Sequence, residues 1–324
     1  MVASPPFPDL TAPAPHVPMP LGGAIHRILP GALNLLTARA SREDIGKSAK
    51  AVDAFTQELD KLAEKLPRGT GKIPPLLHFV YGLKRPEPFP LYARLAVLSA
   101  LHHNPGWCVV FHLRHEPTGP HWEALKPLLL INPVPDFSHF GIAPLRHYAH
   151  KADVVRLLVL KHMGGAYLDI DTLTQKSLTA LTGQSMVMGI QAGLPGQPGG
   201  LCNAIMLSEP HAPFLDLWLR RYRHFRSRGA DWLWDFHSVK TPAQLAAKHT
   251  EAITVLKPEA FFDPLWDRIE KVMFGEDAAA HPNFAFHLWN NMITQRLESI
   301  DEAYIRTSPS LYAKLARPVL KGKK

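Results

Sequence analysis

Residues 41 to 66 carry the clearest helical pattern of the chain, because apolar positions recur there at spacings of seven, three and four. The apolar stripe consists of Ile45, Val52, Phe55, Leu59, Leu62 and Leu66. Packing of this stripe on the main domain is the favoured interpretation, and docking on a partner or a membrane is the alternative. The breaker-rich "LPRGTGKIPP" predicts the end of the segment.

From Leu76 onward, short apolar runs alternate with longer helical patterns. The predicted strands are "LLHFVYG", "WCVVFHL", "AYLDID", "SMVMGIQ" and "LCNAIML". The predicted helices are "LYARLAVLSALHH", "HYAHKADVVRLLVLKHM" and "PHAPFLDLWLRRYRHFRSR". This alternation predicts an α/β fold with a mostly parallel, doubly wound sheet. Ligands of such sheets bind beyond the carboxyl ends of the strands.

Three segments follow from these patterns. Residues 1–40 begin with a stretch rich in Pro and Ala, which predicts a disordered or irregular N-terminal arm. Residues 41–70 are the amphipathic helix and a linker, and residues 71–324 are the main domain.

Two tryptophans in "DWLWDFHSVKTP", Trp232 and Trp234, have two equally plausible roles. They either pack in the core or form a platform on which a sugar could stack.

The charge balance is basic, since 36 Lys and Arg face 28 Asp and Glu and the net charge is +8. This favours contact with phosphates or a lipid surface, whereas a nucleic-acid-binding protein would cluster its basic residues with exposed aromatics.

Cys108 and Cys202 lie far apart, so neither a disulfide framework nor a zinc motif is predicted. The stretch "LGGAIHRILPGALNLL" is interrupted by His26, Arg27 and Pro30, which argues against a membrane span and a signal peptide.

Two aspartates, Asp169 and Asp171, stand at the end of the apolar run in "HMGGAYLDIDT". Residues two apart on a strand face the same side, so both carboxylates point into the crevice at the sheet edge if the strand ends here. Mg²⁺ and Mn²⁺ prefer such oxygen ligands. A D-x-D pair is expected about once by chance in a chain of this size, so the pair alone also fits an acidic turn.

The helix before this motif adds Asp153 and Arg156 on neighbouring turns of one face. Their apolar neighbours are nearly continuous, so the helix is predicted to be largely buried, and buried charges need partners. Asp153 and Arg156 either pair with each other or hydrogen-bond a polar ligand such as a sugar. Gly164 and Gly165 end the helix, as glycine does where φ must be positive, and lead the chain directly to the aspartates.

The stretch "AHKADVVRLLVLKHMGGAYLDIDT" resembles the core motif of the glycosyltransferases with a DXD sugar-binding region. That family includes the yeast-type initiating α-mannosyltransferase and the α-1,4-galactosyltransferases, with the clostridial glucosylating toxins as more distant relatives. Its pattern is a small residue and Asp, two residues, Arg, then Leu and Gly-Gly-x-Tyr-x-Asp-x-Asp, and every position is met. The resemblance covers about residues 73 to 291 and implies a GT-A type, Rossmann-like sheet with helical additions at both ends.

The resemblance also implies functional residues outside the motif. Tyr81 stands where the family usually has a base-stacking Trp, and Asn203 corresponds to an Asn that lines the donor-sugar pocket. Within the motif, Tyr167 joins the donor-binding set. "FAFHLWNN" is similar to the late segment that reaches the metal and diphosphate, which implicates His287 and Trp289. The usual Ser-Trp after it is replaced by "NNM".

The implied activity is transfer of a sugar from a nucleotide-sugar donor, a UDP-hexose or GDP-mannose, to a glycan, glycolipid or protein hydroxyl. Asp171 would hold Mn²⁺ or Mg²⁺ with Asp169 assisting, and Asp153 and Arg156 would orient the donor sugar. The family retains anomeric configuration, and front-face displacement is favoured because no enzymic nucleophile is evident. Polysaccharide or glycolipid synthesis is the expected setting, and no nucleic-acid partner is expected.

Other functions stay open at this point. One is an effector that glycosylates a protein, and another is a non-catalytic module that binds nucleotide sugars or a partner. A metal-dependent phosphodiesterase would need more clustered acids and histidines. Eukaryotic relatives usually carry an N-terminal membrane anchor, and none is visible in this sequence, so a cytoplasmic bacterial enzyme is expected. The helix at 41–66 and the basic tail "RPVLKGKK" would allow peripheral contact with the inner membrane.

Overall fold

The computed structural model describes residues 42–195, 199–222, 225, 235–275 and 281–320. The predicted N-terminal arm, the candidate platform residues Trp232 and Trp234, and the end of the basic tail lie outside the described residues. The segment boundaries expected at residues 40 and 70 therefore stay a prediction.

The central sheet is mostly parallel. The described strands are β1 (Leu76–Tyr81), β2 (Cys108–Leu113), β3 (Leu130–Pro133), β4 (His139–Phe140), β5 (Ala143–Pro144), β6 (Gly165–Leu168), β7 (Thr172–Thr174), β8 (Met186–Gln191), β9 (Gly200–Ser208), β10 (Thr254–Leu256) and β11 (Ala285–His287). In the described part of the chain, seven strands form one sheet in the order β10-β8-β9-β6-β1-β2-β3. β9 runs antiparallel to both neighbours, and the other pairs of this sheet are parallel. The predicted α/β class is confirmed.

Helices cover the sheet. The described helices are α1 (Arg42–Ala63), α2 (Leu91–His103), α3 (Pro120–Leu125), α4 (Tyr148–Met163), α5 (Pro213–Arg221), α6 (Thr241–Ala246), α7 (Ile269–Phe274), α8 (Asn290–Glu298), α9 (Glu302–Thr307) and α10 (Leu311–Leu320), and Phe236–Lys240 form a π-helical turn. None of the helices in these described ranges combines the length and the apolar character that crossing a bilayer requires.

Two apolar layers sandwich the sheet, as the side chains of β1 illustrate. Leu77 and Phe79 belong to the layer that includes α2 and the C-terminal helices. Leu76 and Val80 belong to the layer of α4 and α5 on the opposite face. A strand buried on both faces reads as a continuous apolar run, which is why its sequence identifies it without alternation.

Helix α1 packs on α4 with the apolar stripe expected from its sequence. Phe55 and Leu59 are buried in the α4 layer, and Val52 packs against the same cluster. An Asp60 carboxylate oxygen lies 2.7 Å from Nδ1 of His162 on α4. The stripe is therefore occupied by the chain's own domain, which was the favoured interpretation.

The long strands and the helices predicted over α2 and α4 are present, and α5 covers the first part of the predicted helix "PHAPFLDLWLRRYRHFRSR", of which residues 223–224 and 226–228 lie outside the described residues. The short strands have no counterpart in the sequence prediction. β3 is an edge strand of four residues, mostly exposed, so it lacks a buried apolar run. β7 and β11 have three residues each and pair with each other from distant parts of the chain. Neither strand has a local pattern long enough to identify it.

The turn from α4 into β6 uses both glycines of the motif. Gly164 has φ 65° and Gly165 has φ 97°, a region that side chains with a Cβ rarely adopt. A Cβ on Gly165 would lie 2.7 Å from the Leu76 carbonyl oxygen, and one on Gly164 would lie 2.8 Å from Cδ of Pro74. The tight turn brings β6 directly alongside β1 and sends the chain towards Asp169.

Candidate active site

Four polar side chains from three elements meet at the carboxyl end of β6. Asp153 and Arg156 come from one face of α4, Asn203 comes from β9, and Asp169 follows β6 directly. Nη1 of Arg156 donates to the Asn203 backbone oxygen at 2.9 Å and lies 3.1 Å from Oδ1 of Asp169. Nδ2 of Asn203 donates to Oδ1 of Asp153 at 2.7 Å. Asp153 and Arg156 therefore pair with each other at 3.7 Å within a larger network that faces a cleft, and their contact with a polar ligand stays a prediction.

The charges of this network are mutually stabilised. Arg156 is 6% exposed, and burial by itself would lower its pKa, but Asp169, Tyr167 and Asp153 outweigh burial and raise it. Burial raises the pKa of the Asp153 carboxyl, and Arg156 and Asn203 oppose this rise. A guanidinium held between carboxylates keeps its charge and its direction.

Tyr167 lies beneath this network. Its side chain is 1% exposed, and the Arg156 guanidinium lies 4.5 Å from the centre of its ring. The Tyr167 hydroxyl donates to Oδ1 of Asp169 at 2.6 Å. The buried ring is thus placed to orient Asp169 from behind, and the direct contact with a donor that was expected for Tyr167 stays a prediction.

Asp171 meets His287 because β7 pairs antiparallel with β11. The register sets His287 opposite Thr172, and the Leu288 backbone N–H donates to the Asp171 backbone oxygen at 2.8 Å. Nε2 of His287 lies 3.5 Å from Oδ1 of Asp171, and the Asn290 backbone N–H donates to Oδ2 at 2.7 Å. A small ladder between distant segments therefore positions both side chains.

Contact between Asp171 and His287 lowers the pKa of the carboxyl and raises the pKa of the imidazole. Burial would raise the pKa of Asp171, but His287 and the Asn290 N–H outweigh it, so the pKa lies below the usual value. Burial would lower the pKa of His287, but the Asp171 carboxylate raises it above the usual value. Asp171 is consequently ionised at neutral pH and available as a ligand.

The residues at this point fit a divalent metal ion. Asp169, Asp171 and His287 each offer a ligand atom, and these atoms lie within 4.8 Å of one another. Nδ1 of His287 is buried and has no hydrogen-bond partner in the described part of the chain. Two carboxylates and an imidazole form a donor set that suits Mn²⁺, and carboxylates also suit Mg²⁺.

These residues line a cleft with a volume of about 470 Å³. Trp289 also lines it, at φ 54°, with its ring centre 4.2 Å from that of His287. Tyr81 is not one of the described residues that line this cleft; its ring stands edge-on to Phe89 at 5.1 Å. Contact of Tyr81 with a base stays a prediction.

Comparisons with known proteins identify the family of this chain. The family model described as glycosyltransferase sugar-binding region containing DXD motif matches residues 90–188. Glucan organizing enzyme 1 of Cryptococcus neoformans var. grubii is 38% identical over 264 residues, which cover 76% of this chain and 71% of that protein. The chain belongs to this DXD glycosyltransferase family. The resemblance carried by "GGAYLDIDT" and its upstream helix is thereby confirmed.

Solved structures give a remote likeness to this DXD glycosyltransferase. PaToxG glycosyltransferase is 16% identical, with 85% of this chain and 96% of that chain covered and a TM-score of 0.37. Galactosyltransferase LgtC, with donor and acceptor sugar analogs, is 14% identical, with coverage of 71% and 98% and a TM-score of 0.38. GlyE of Streptococcus pneumoniae TIGR4 is 11% identical, with coverage of 76% and 63% and a TM-score of 0.39. The assignment to the family rests on the sequence relative.

The candidate site of this DXD glycosyltransferase includes groups that have no signature in the sequence. The backbone N–H of Asn290 holds Asp171, and a backbone donor does not depend on residue type. Gln191, Asp235 and Trp266 line the same cleft from segments separated along the chain. No motif spacing connects them, so only the folded chain reveals that they share one cleft.

Proposed function

We propose that this protein transfers a hexose from a nucleotide-sugar donor, a UDP-hexose or GDP-mannose, to an acceptor hydroxyl with retention of anomeric configuration. The observation that carries the proposal is the convergence of two ligand sets in one cleft. Asp169, Asp171 and His287 approach each other at one side, and Asp153, Arg156 and Asn203 form a hydrogen-bonded set beside them.

Asp171, Asp169 and His287 would hold Mn²⁺ or Mg²⁺. Such an ion, when bound, neutralises charge on the diphosphate of the donor and so favours departure of the nucleoside diphosphate. The chain prepares this site in advance, because the Tyr167 hydroxyl and the Asn290 N–H already fix the two carboxylates. Ligands that are fixed before binding lose little entropy when they bind.

Asp153, Arg156 and Asn203 would position the donor sugar. Their network holds one carboxylate, one guanidinium and one amide in fixed directions at the cleft wall, and these groups match sugar hydroxyls. Positioning of the anomeric carbon beside the acceptor supplies much of the rate in a transfer reaction. Trp289 and Tyr81 would contact the nucleoside part of the donor.

The transfer itself makes one bond and breaks one bond. The acceptor oxygen bonds to the anomeric carbon as the bond from that carbon to the diphosphate oxygen breaks. The acceptor proton passes to the departing diphosphate oxygen on the same face, which accounts for retention without an enzymic nucleophile. Charge on the anomeric carbon is oxocarbenium-like at the transition state, as in glycoside hydrolysis.

The name of the relative in C. neoformans, glucan organizing enzyme 1, supports a role in glycan assembly. We accordingly propose polysaccharide or glycolipid synthesis rather than modification of a protein. A cytoplasmic location and peripheral contact with the inner membrane stay predictions, which flotation with anionic liposomes would test.

The deciding experiment combines metal removal with substitution of Asp171. We expect EDTA to abolish release of nucleoside diphosphate from the cognate donor, and Mn²⁺ to restore it. Asp171→Ala should lower kcat at least about a hundredfold, since one charge-stabilising group contributes about that much. The donor is first found by a thermal-shift screen of nucleotide sugars with Mn²⁺. Full activity in metal-free buffer, or binding of a donor without transfer or hydrolysis, would contradict the proposal.

A further inference from the structure

One wall of the cleft consists of residues that neither the metal site nor the donor network uses. Gln191 is the last residue of β8, Asp235 precedes the π-helical turn, and Ser238 lies within that turn. Trp266 comes from the loop after β10, and Asn291 comes from the first turn of α8. This wall, named the outer wall below, faces the same space as Asp169 and Asp171.

The outer wall carries polar groups that have no partner within the protein. In the described part of the chain, the side chains of Gln191, Ser238 and Asn291 make no hydrogen bond to protein. Amides and a hydroxyl both donate and accept hydrogen bonds, and so do the hydroxyls of a sugar. A bound polyol would therefore satisfy this side of the cleft.

The outer wall also presents apolar surface to the cleft. Trp266 is only partly buried although its indole is large, and Met292, which lines the same cleft, is 57% exposed. Ligand clefts typically combine such exposed aromatic area with a few placed polar groups. The apolar face of a pyranose ring fits an indole ring in this way, whereas an extended peptide would need backbone donors or a strand edge.

The charge at the outer wall disfavours an anionic ligand on this side of the cleft. Among the described residues that line the cleft, the cationic groups are Arg156, which Asp153, Asp169 and Asn203 already contact, and His287, which lies 3.5 Å from an Asp171 carboxylate oxygen. Asp235 adds a carboxylate whose oxygen lies 3.1 Å from Nζ of Lys240. A phosphate-bearing group at this wall would meet carboxylates without a free cation to compensate them.

From this chemistry we infer that the outer wall is the acceptor subsite, and that the acceptor is the neutral pyranose end of a glycan. Trp266 would support the ring, and Asp235 with the unpartnered amides would bind its hydroxyls. This inference rests on the proposed function. The step remains the transfer written above: the bound hydroxyl oxygen bonds to the anomeric carbon, the bond to diphosphate breaks, and the proton leaves with the diphosphate.

The test compares neutral hexose oligosaccharides with the same oligosaccharides phosphorylated at the reducing end. Saturation-transfer NMR measures their binding to the full chain with Mn²⁺ and nucleoside diphosphate. We expect the neutral series to bind and the signal to disappear in Trp266→Ala, with partial retention in Trp266→Phe. In steady-state kinetics, Asp235→Asn and Trp266→Ala should raise the acceptor KM at least about tenfold and increase the fraction of donor that is hydrolysed.

Asp267→Asn is the matched control, because Asp267 is exposed beside Trp266 and is not one of the described residues that line the cleft. Equal or tighter binding of the phosphorylated series would overturn the inference, and so would transfer to a protein alone. An acceptor KM that changes less than about twofold in both variants would also overturn it. If the unaltered protein neither hydrolyses nor transfers any donor, the proposed function has failed instead.

Discussion

The two aspartates of the motif are held by donors of different kinds. Asp169 is fixed by side chains, since the Tyr167 hydroxyl donates to its Oδ1 and Arg156 lies 3.1 Å away. Asp171 accepts a hydrogen bond from the backbone N–H of Asn290, and Nε2 of His287 lies 3.5 Å from its other carboxylate oxygen. Support of this kind would reduce the motion of both carboxylates before the proposed metal ion binds. A single side-chain substitution can remove the hydrogen bond from Tyr167 to Asp169, whereas the backbone N–H of Asn290 is present with nearly any residue.

Tyr167→Phe tests this support. The ring and its contact with Arg156 remain, but Asp169 loses a hydrogen bond of the charged type, which contributes about 1.5–3 kcal/mol. We expect kcat/KM for the donor to fall about tenfold or more, and a higher Mn²⁺ concentration to be needed for half-maximal activity. Tyr148→Phe is the control, because Tyr148 is 41% exposed and its hydroxyl makes no hydrogen bond within the described residues. Equal metal dependence in both variants would show that the hydroxyl does not position Asp169.

At the scale of elements, the turn between α4 and β6 determines where the motif lies. Gly165 is enclosed by β1, since a Cβ there would meet the Leu76 carbonyl oxygen at 2.7 Å and Nε2 of His78 at 2.9 Å. The constraint is therefore steric as well as conformational. The glycines serve close packing of α4, β6 and β1, and they line no part of the cleft among the described residues.

Gly165→Ala separates these two constraints when it is compared with Gly119→Ala. Both glycines have φ 97°, but a Cβ on Gly119 would meet no atom within 4 Å. Gly119→Ala should cost about 1–3 kcal/mol of unfolding free energy from backbone conformation alone, because φ 97° with ψ 169° is a region that essentially only glycine adopts. Gly165→Ala should cost at least about 2 kcal/mol more, because backbone atoms of β1 must move. Urea unfolding of both variants measures the difference, and equal costs would refute the steric part.

At the scale of the whole molecule, a buried hydrogen-bond chain crosses the sheet from its edge to the turn. Nδ2 of Asn132 donates to Nδ1 of His112 at 2.9 Å. Nε2 of His112 lies 3.1 Å from Nδ1 of His78, and Nε2 of His78 donates to the Gly164 oxygen at 2.8 Å. These partners require a proton on Nε2 of each ring and none on Nδ1. This series of hydrogen bonds is complete only when the imidazole rings of both histidines are neutral.

Stability should therefore depend on pH. Burial lowers the pKa of His78 to about 4, against the opposing Gly164 hydrogen bond, and burial with the neighbouring His78 lowers that of His112 well below 6.5. Below pH 6.5 the unfolded chain binds protons that the folded chain excludes, so unfolding becomes easier as pH falls. His78 alone should remove about 3 kcal/mol as pH falls from about 6.5 to about 4.

Two measurements check this dependence. Urea unfolding across the pH window should give a free energy that decreases towards acid pH. The ring NMR chemical shifts of His78 and His112 should remain those of neutral imidazole at a pH of about 5, where exposed histidines are protonated. Titration of either ring near the usual value in the folded protein would contradict the hydrogen-bond chain.

The sequence by itself determined the α4 helix, the Gly-Gly stop and the acidic end of β6, because these features lie within one continuous stretch. Spacing along a helix or a strand is set by covalent geometry, so Asp153 and Arg156 share a face whatever surrounds them. The apolar runs likewise determined the long strands, since a strand buried on both faces must be apolar throughout. The resemblance to the family followed from this stretch, and the relative in C. neoformans confirmed it.

Only the tertiary structure decided which distant groups complete the site. Asp171 and Asn290 are 119 positions apart and meet because β7 and β11 pair, although each has only three residues. Pairing of such short strands depends on the packing around them rather than on their own sequence. The same holds for Trp266 and Asp235 at the outer wall, since the shape of a cleft depends on all the elements that enclose it.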